Sequence, residues 1–401
     1  MSKTSRFIAL LTFVIHFQVH SQNLVANYNT LEDDYGVSGC ELNNSFFLFS
    51  FFNNAVGTNT EMHLKLIKLS QNGQQEDFKI FSITDSSIKI LNYQTINTSI
   101  DLFCSVASIE NQNYNSLILL KFDTALNLVS KQYIGVFANN IYSCEIGSFF
   151  SDKKYLLLSL DTTSNRQGAI FPFIIETDSL FQNKYEVSHF PTLMDYRLDK
   201  AWLTTDSVIM LALNYQQAQR YIAKLNHDLS ITILDSMGFL DNYLTSPLLG
   251  RFNILNQNNN ELTVLGYSDS IMPSLQYRSA KRMSIVKFDS SFKIAYRAGF
   301  KSKHLSNTED NHQYFTPWYG IGNHNKSQNY YIGADVIYTP FSANSPMLIC
   351  LDSSLNIKWE SYIHNEDSIV RLQYIYGSQY GGCWVVYVQH AIDGNHQYDM
   401  A

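Results

Sequence analysis

The sequence predicts an all-β fold built from a repeated four-stranded unit, and three observations carry that expectation. The first is composition. Across 401 residues, 45% are hydrophobic, only 16% are charged, and aromatics reach 14% with 26 Tyr and 26 Phe. Such a chain has ample material for a core and favours strands over helices. The second is a motif that recurs six times: an apolar stretch, often a Lys, a polar turn starter, and an apolar residue three positions on. The third is a strongly apolar stretch standing before each copy and again after the last. The turn starters fall at Ser70, Asp123, Asp178, Asn226, Asp289 and Asp352, with gaps of 53, 55, 48, 63 and 63 residues.

Each copy reads as a tight hairpin. An Asp, Asn or Ser side chain hydrogen-bonds the backbone two residues on and starts a turn, and alternating apolar residues on either side give two strands. The clearest copies are Val286-Lys287-Phe288-Asp289-Ser290-Ser291-Phe292 and Ile349-Cys350-Leu351-Asp352-Ser353-Ser354-Leu355. The apolar strands lie near 46–52, 101–107, 155–160, 208–213, 262–267, 330–336 and 383–388, seven for six hairpins. With a weaker strand in each unit, the period is four strands. Four-strand units of this length, repeated six or seven times, define a β-propeller. No unit covers its own two apolar faces, so the blades pack face to face around an axis. The expectation is one all-β propeller of seven, alternatively six, four-stranded antiparallel blades over residues 22–401.

The N-terminus carries an export pattern. Lys3 and Arg6 precede an apolar run from Phe7 to Phe17, and Val19 and Ser21 suit cleavage before Gln22, so residues 1–21 read as a signal peptide. The run is too short to span a bilayer, and no later stretch is long enough, so no transmembrane segment is expected. Cleavage leaves 26 basic and 35 acidic groups, a net charge of -9. That balance excludes a nucleic-acid binder working through charge. The five cysteines, Cys40, Cys104, Cys144, Cys350 and Cys383, include no C-x-x-C pair. Cys104 and Cys350 read first as small buried hydrophobes, then as disulfide partners.

The last blade has a first strand near 370–376, a second at 383–388 and the start of a third near Tyr398. A lone strand at Leu24–Thr30, followed by a first strand near 35–42, is placed to complete that blade and close the ring. The stop at Ala401 in a third strand also fits a chain truncated at its C-terminus.

Two segments resemble the degenerate β-propeller repeats of exported Bacteroidetes proteins, cargo of type IX secretion. Gly381-Gly382-Cys383-Trp384-Val385-Val386 is similar to the glycine turn and second strand of that blade, and Ile349–Trp359 to its third strand, turn and fourth strand. Other blades depart from the glycine turn, with Asn43-Asn44-Ser45 standing in for it, and the sorting domain is not present in this chain. The resemblance implies export to the cell surface or beyond (periplasm included) and a scaffold role. It implies no shared catalytic residues.

In an antiparallel four-stranded blade, the links from second to third strand and from fourth to the next first strand share one face. The long stretches 53–63, 161–169, 268–281 and 301–312 are of this kind, which predicts a binding site on that face. Its richest segment runs from His304 to His324. The candidate ligand platform is His304, His312, Tyr314, Trp318 and Tyr319, joined by Tyr277 and Arg278 from a neighbouring loop, with aromatics to stack on a glycan or a protein. The spacing of His304, Glu309 and His312 matches no helix-borne metal motif, and no metal or cofactor is expected. No G-x-S-x-G or phosphate-binding loop is present. The leading reading is therefore an exported binding protein. The alternative is a secreted polysaccharide-active enzyme with acids in the central channel.

Overall fold

In a computed structural model the described residues lie between 34 and 400, apart from stretches of which the longest are 162–169, 238–252, 272–278 and 301–312. Every element among them is a strand, and the strands assort into seven antiparallel sheets. The first sheet is β1 (Asp34–Leu42), β2 (Ser45–Val56), β3 (Asn59–Ser70) and β4 (Gln75–Phe81). The second is β5 (Ser86–Ile96), β6 (Ser99–Ser108), β7 (Asn115–Asp123) and β8 (Leu128–Phe137), and the third is β9 (Ile141–Phe149), β10 (Lys153–Asp161), β11 (Ile170–Asp178) and β12 (Lys184–His189). Next come β13 (Tyr196–Leu203), β14 (Val208–Asn214), β15 (Gln219–Leu225) and β16 (Ile231–Met237), then β17 (Asn253–Asn258), β18 (Glu261–Ile271), β19 (Ser279–Phe288) and β20 (Ile294–Phe300). The sixth sheet holds β21 (Gln313–Thr316), β22 (Ile321–His324), β23 (Asn329–Tyr338), β24 (Ala343–Leu351) and β25 (Ile357–Tyr362), with β21 and β22 both pairing β23. The seventh holds β26 (Ser368–Gly377), β27 (Cys383–Ala391) and β28 (Tyr398–Met400). Strand order follows chain order in six of these sheets, and in the sixth apart from β22, which shares β23 with β21. This is the architecture of a β-propeller.

The repeated motif forms the third strand, the turn and the start of the fourth. Asp352 shows how. Its Oδ1 accepts the backbone N–H of Ser354 and of Asn356, at 2.9 and 2.8 Å, and Leu355 N donates to Asp352 O at 2.9 Å. Asp123 makes the same set with Ala125, Asn127 and Leu126. The apolar residue three positions on adopts a left-handed backbone, with φ of 57° at Leu126, 59° at Phe181 and 67° at Leu355. Such a conformation costs an L-residue about 1–2 kcal/mol. Burial of Leu126 and Phe181 in the cores between sheets offsets it.

The cores lie between sheets. Alternate residues of β2 face opposite neighbours: Phe47 and Phe49 pack with Ile88, Ile100 and Leu102 of the second sheet. Phe46 and Leu48 pack with Val386 of the seventh. Leu117, Leu119 and Phe103 meet Leu156, Leu158 and Ile175 of the third sheet, and Tyr331, Leu348 and Cys350 meet Leu372 and Ile375 across the sixth and seventh. Side chains on outer strands also latch to the next turn: Lys79 Nζ donates to Ala125 O at 2.9 Å, and Gln132 Nε2 to Phe181 O.

Two expectations need correction. The stretch 53–63 is not a long loop, because β2 and β3 continue pairing to Val56↔Asn59. The stretch 268–281 shortens likewise, since β18 and β19 pair out to Ile271↔Ser279. Both stretches are polar in sequence, yet the ladder pairing runs on through them. The signal segment and Leu24–Thr30 lie outside the described residues.

Candidate functional site: the axial space and its two ends

The first strand of each sheet is the innermost. Tyr93 on β5 and Tyr374 on β26 belong to sheets separated by the first sheet, yet their hydroxyls lie 2.9 Å apart. They meet across the inner edge of β1, where Tyr374 Oη donates to Gly39 O at 2.8 Å. With the Tyr374 proton committed there, Tyr93 donates to Tyr374. Burial pushes both phenols above their ordinary pKa, each helped by nearby ionisable neighbours. At working pH both are neutral and the clasp holds.

The clasp has a fixed height. Tyr93, Tyr374 and Gly39 each stand three residues before the end of their strand, Ile96, Gly377 and Leu42 respectively. Those ends lead into the short first-to-second turns. At one of these Asn43 and Asn44 adopt φ of 51° and 65°, the conformation of a tight hairpin turn. At another Gly381 and Gly382 do so with 95° and 80°. At the short-turn end the clasp therefore ties the second and seventh sheets together across the first.

The innermost strands also share an irregularity. Six of them carry a β-bulge: β1 between Tyr35 and Ser38, β5 at Leu91, β9 at Tyr142, β13 at Asp199, β17 at Leu255 and β26 at Gln373. In the sixth sheet the innermost strand is interrupted instead. β21 ends with Thr316 opposite Asp335, and β22 begins with Ile321 opposite Ile332. Opposite this break is Gly333, where an added Cβ would lie 2.2 Å from Leu372 Cδ2 of the seventh sheet.

Among the proposed platform residues, Tyr314 is placed by its backbone in β21, paired with Ile337. His304, His312, Trp318, Tyr319, Tyr277 and Arg278 lie outside the described residues. Trp318 and Tyr319 fall in sequence between β21 and β22. The sequence reading missed the tyrosine clasp and the bulges. The Tyr374-Ile375-Tyr376 alternation was visible, but nothing in it says that one tyrosine crosses to a strand 281 residues away.

On the opposite end, His63 Nδ1 lies 2.6 Å from Ser82 Oγ, tying β3 to the β4–β5 connection, and Phe52 packs on the imidazole. Among the described residues no group of three or more His, Cys, Asp or Glu is placed to hold a metal ion. The cysteines are free thiols, with Cys40 pushed up to about 12 by burial and the neighbouring Glu41. Among the described residues no helix is long and apolar enough to cross a membrane.

No family model matches this chain, and no curated protein matches it in sequence. Solved structures do match in fold. The polysaccharide lyase Uly1 is 9% identical with a TM-score of 0.50, the match covering 96% of this chain and 93% of that one. The β-propeller domain of the Trilobed protease from Pyrococcus furiosus, described as having an open velcro topology, is 9% identical with a TM-score of 0.47, covering 92% and 96%. BBS1N, solved in complex with ARL6DN, is 8% identical with a TM-score of 0.45, covering 93% and 96%. At these identities the likeness concerns the fold alone.

Proposed function

We propose that this chain is an exported binding protein that meets its ligand on the face formed by the second-to-third and fourth-to-first connections. The observation that carries the reading is the tight build of the opposite end, where the first-to-second turns are short and the tyrosine clasp ties the first, second and seventh sheets together. The strands joined through residues 238–252 and 301–312 are fourth and first strands, and those joined through 162–169 and 272–278 are second and third, so these stretches of sequence join strands at the other end. Long loops on a rigid scaffold are where binding residues concentrate. The export pattern at residues 1–21 and the resemblance to Bacteroidetes type IX cargo support a cell-surface or extracellular setting; N-terminal sequencing of the secreted chain is expected to begin at Gln22.

The test is pull-down on a panel of insoluble polysaccharides and immobilised surface proteins, comparing wild type with Trp318→Ala. The variant is expected to keep its fold and lose binding at least tenfold, as an aromatic anchor does. Equal retention by both chains removes the platform. A second reading, an enzyme acting on polysaccharides, draws on the one carboxylate that a bulge inserts into an innermost strand, Asp199. Reducing-sugar release that vanishes in Asp199→Asn is the result that favours it.

A further inference from the structure

We infer that the seventh sheet carries a docking slot for an extended strand of a separate polypeptide, one that is apolar on both of its faces. The slot is distinct from the loop face proposed above. It is the place that third and fourth strands fill in the other six sheets.

The opening is set by pairing. In the second sheet, β6 pairs with β7 from Ser99↔Asp123 to Ala107↔Asn115. In the seventh, β27 pairs with β28 at Val388↔Met400, Gln389↔Asp399 and His390↔Tyr398 alone among the described residues. From Cys383 to Tyr387 the outer edge of β27 has no strand partner among them, and β28 is the last strand of the sheet.

Burial follows the same line. The second-strand residues Phe46–Phe52 of β2 and Ser99–Val106 of β6 are all buried. In β27, Val386 is buried, but Cys383, Trp384, Val385 and Tyr387 are only partly so. An apolar strand with an unpaired edge is a template for strand addition, in which main-chain hydrogen bonds give affinity and side-chain pockets give specificity.

The walls say what fits. Ile67 of β3 packs with Val386, so its ladder partner Phe78, and Ile80 two residues on, face the seventh sheet. Phe78 is 39% exposed and Ile80 51%. On the other side Cys350 packs with Leu372 and Ile375, and its ladder partner Trp359 faces the same way, 40% exposed. Two strands side by side take up about 10 Å, so the edge of β27 is set back by about that much between the outer strands of its neighbours. A folded second copy meets those outer strands first, whereas one extended segment passes between them.

A segment running on from β28 is antiparallel to β27. Its residues opposite Trp384 and Val386 face the first sheet, and those opposite Cys383 and Val385 face the sixth. Both faces must therefore be apolar, as in β7, where Ile118 and Leu120 meet the first sheet and Leu117 and Leu119 the third. A charge in that run would be buried at a cost.

The experiment uses the full chain and a fluorescent peptide of residues 344–358, the third strand and turn of the sixth sheet, carrying Cys350→Ser. The peptide is expected to bind and to slow hydrogen exchange of the amides from Cys383 to Tyr387 at least tenfold. Binding is expected to be tenfold or more weaker for the peptide with Ile349→Asp and for the chain variants Trp359→Ala and Ile80→Asp. Both wall residues are exposed, and circular dichroism checks that the variants are folded; should one unfold, the other carries the test together with the Ile349→Asp peptide. Absence of binding overturns the slot, and so does binding that none of the three substitutions weakens. Binding that appears only after residues 22–33 are removed gives the place to the chain's own N-terminal segment and overturns the separate partner. Sedimentation of the free chain as a dimer, with the same amides already protected, gives it to a second copy and overturns the partner equally. In each case the pull-down with Trp318→Ala still decides the loop face.

Discussion

The turn motif shows how one residue can serve two masters. Leu126 sits at φ 57°, where glycine would be unstrained, yet its side chain is 1% exposed in the core between the first and second sheets. Leu→Ala at such a site costs about 2–5 kcal/mol, so Leu126→Ala is expected to lower the urea midpoint clearly. Leu355 shares the backbone conformation but is only partly buried. Leu355→Gly relieves the strain and gives up less packing, so it is expected to cost much less than Leu126→Gly in the same unfolding experiment. The turn carboxylates make a pH prediction. Hydrogen bonds from Asn356, with further help from the Ser354 N–H and Lys358, hold Asp352 below the usual carboxylate pKa, and Asn127 acts likewise on Asp123. A folded pKa below the unfolded one means stability that is present above about pH 4 and lost as pH falls through the folded value. In thermal melts Asp123→Asn and Asp352→Asn are therefore expected to lie below wild type at pH 7, with the gap closing towards pH 3.

At the scale of elements, close approach between neighbouring sheets is purchased with a glycine. Gly333 of β23 faces Leu372 of β26, and a Cβ there would collide with a Leu side chain that is itself fully buried. Overpacking of this kind costs about 1–3 kcal/mol. Gly333→Ala is expected to destabilise by that order in denaturant melts, and Leu372→Ala in the same chain is expected to recover part of the loss, because the two share one space. The elements themselves were legible before the structure. All seven strongly apolar stretches are second strands, and all six motifs fall between a third and a fourth strand, with the turn itself described at Ser70, Asp123, Asp178, Asp289 and Asp352, because local hydrogen bonding and period-two burial decide both. The glycine turn and its asparagine stand-in were legible too, since Asn43-Asn44 adopts the left-handed pair that a tight hairpin needs. What stayed hidden was set at a distance. The inner-strand bulges answer to the twist of whole sheets, and the Tyr93–Tyr374 clasp joins blades that neither touch in sequence nor stand side by side. The polar stretches taken for long loops, 53–63 and 268–281, read as loops because composition does not tell a projecting hairpin from a coil. Of the proposed site, only the strand carrying Tyr314 falls among the described residues.

For the whole molecule, the decisive contact is the one between its beginning and its end. Trp384 of β27 stacks on Phe46 of β2, with centroids 4.7 Å apart and planes at 11°, and its Nε1 donates to Glu41 Oε1 at 2.6 Å. Tyr374 adds its hydrogen bond to Gly39. These bonds join residues 343 and 335 positions apart. An open array of repeats couples each unit only to its neighbours in sequence, whereas this contact makes the first and last sheets neighbours as well. Trp384→Ala removes the stack and deprives Glu41 of its indole donor; a fully buried Trp→Ala change costs about 3–5 kcal/mol, and the half-buried Trp384 is expected to cost less. The cost is expected to appear in a particular place. In native-state hydrogen exchange, amides of β1, β2, β26 and β27 should lose protection together, although they lie at opposite ends of the chain. Those of β14 and β15, on the far side of the chain order, should change little. Loss confined to β26 and β27 would mean that the first sheet stands without the seventh, and that the chain behaves as an open stack. Joint loss at both ends means that the seam between Phe46 and Trp384 holds the ring shut.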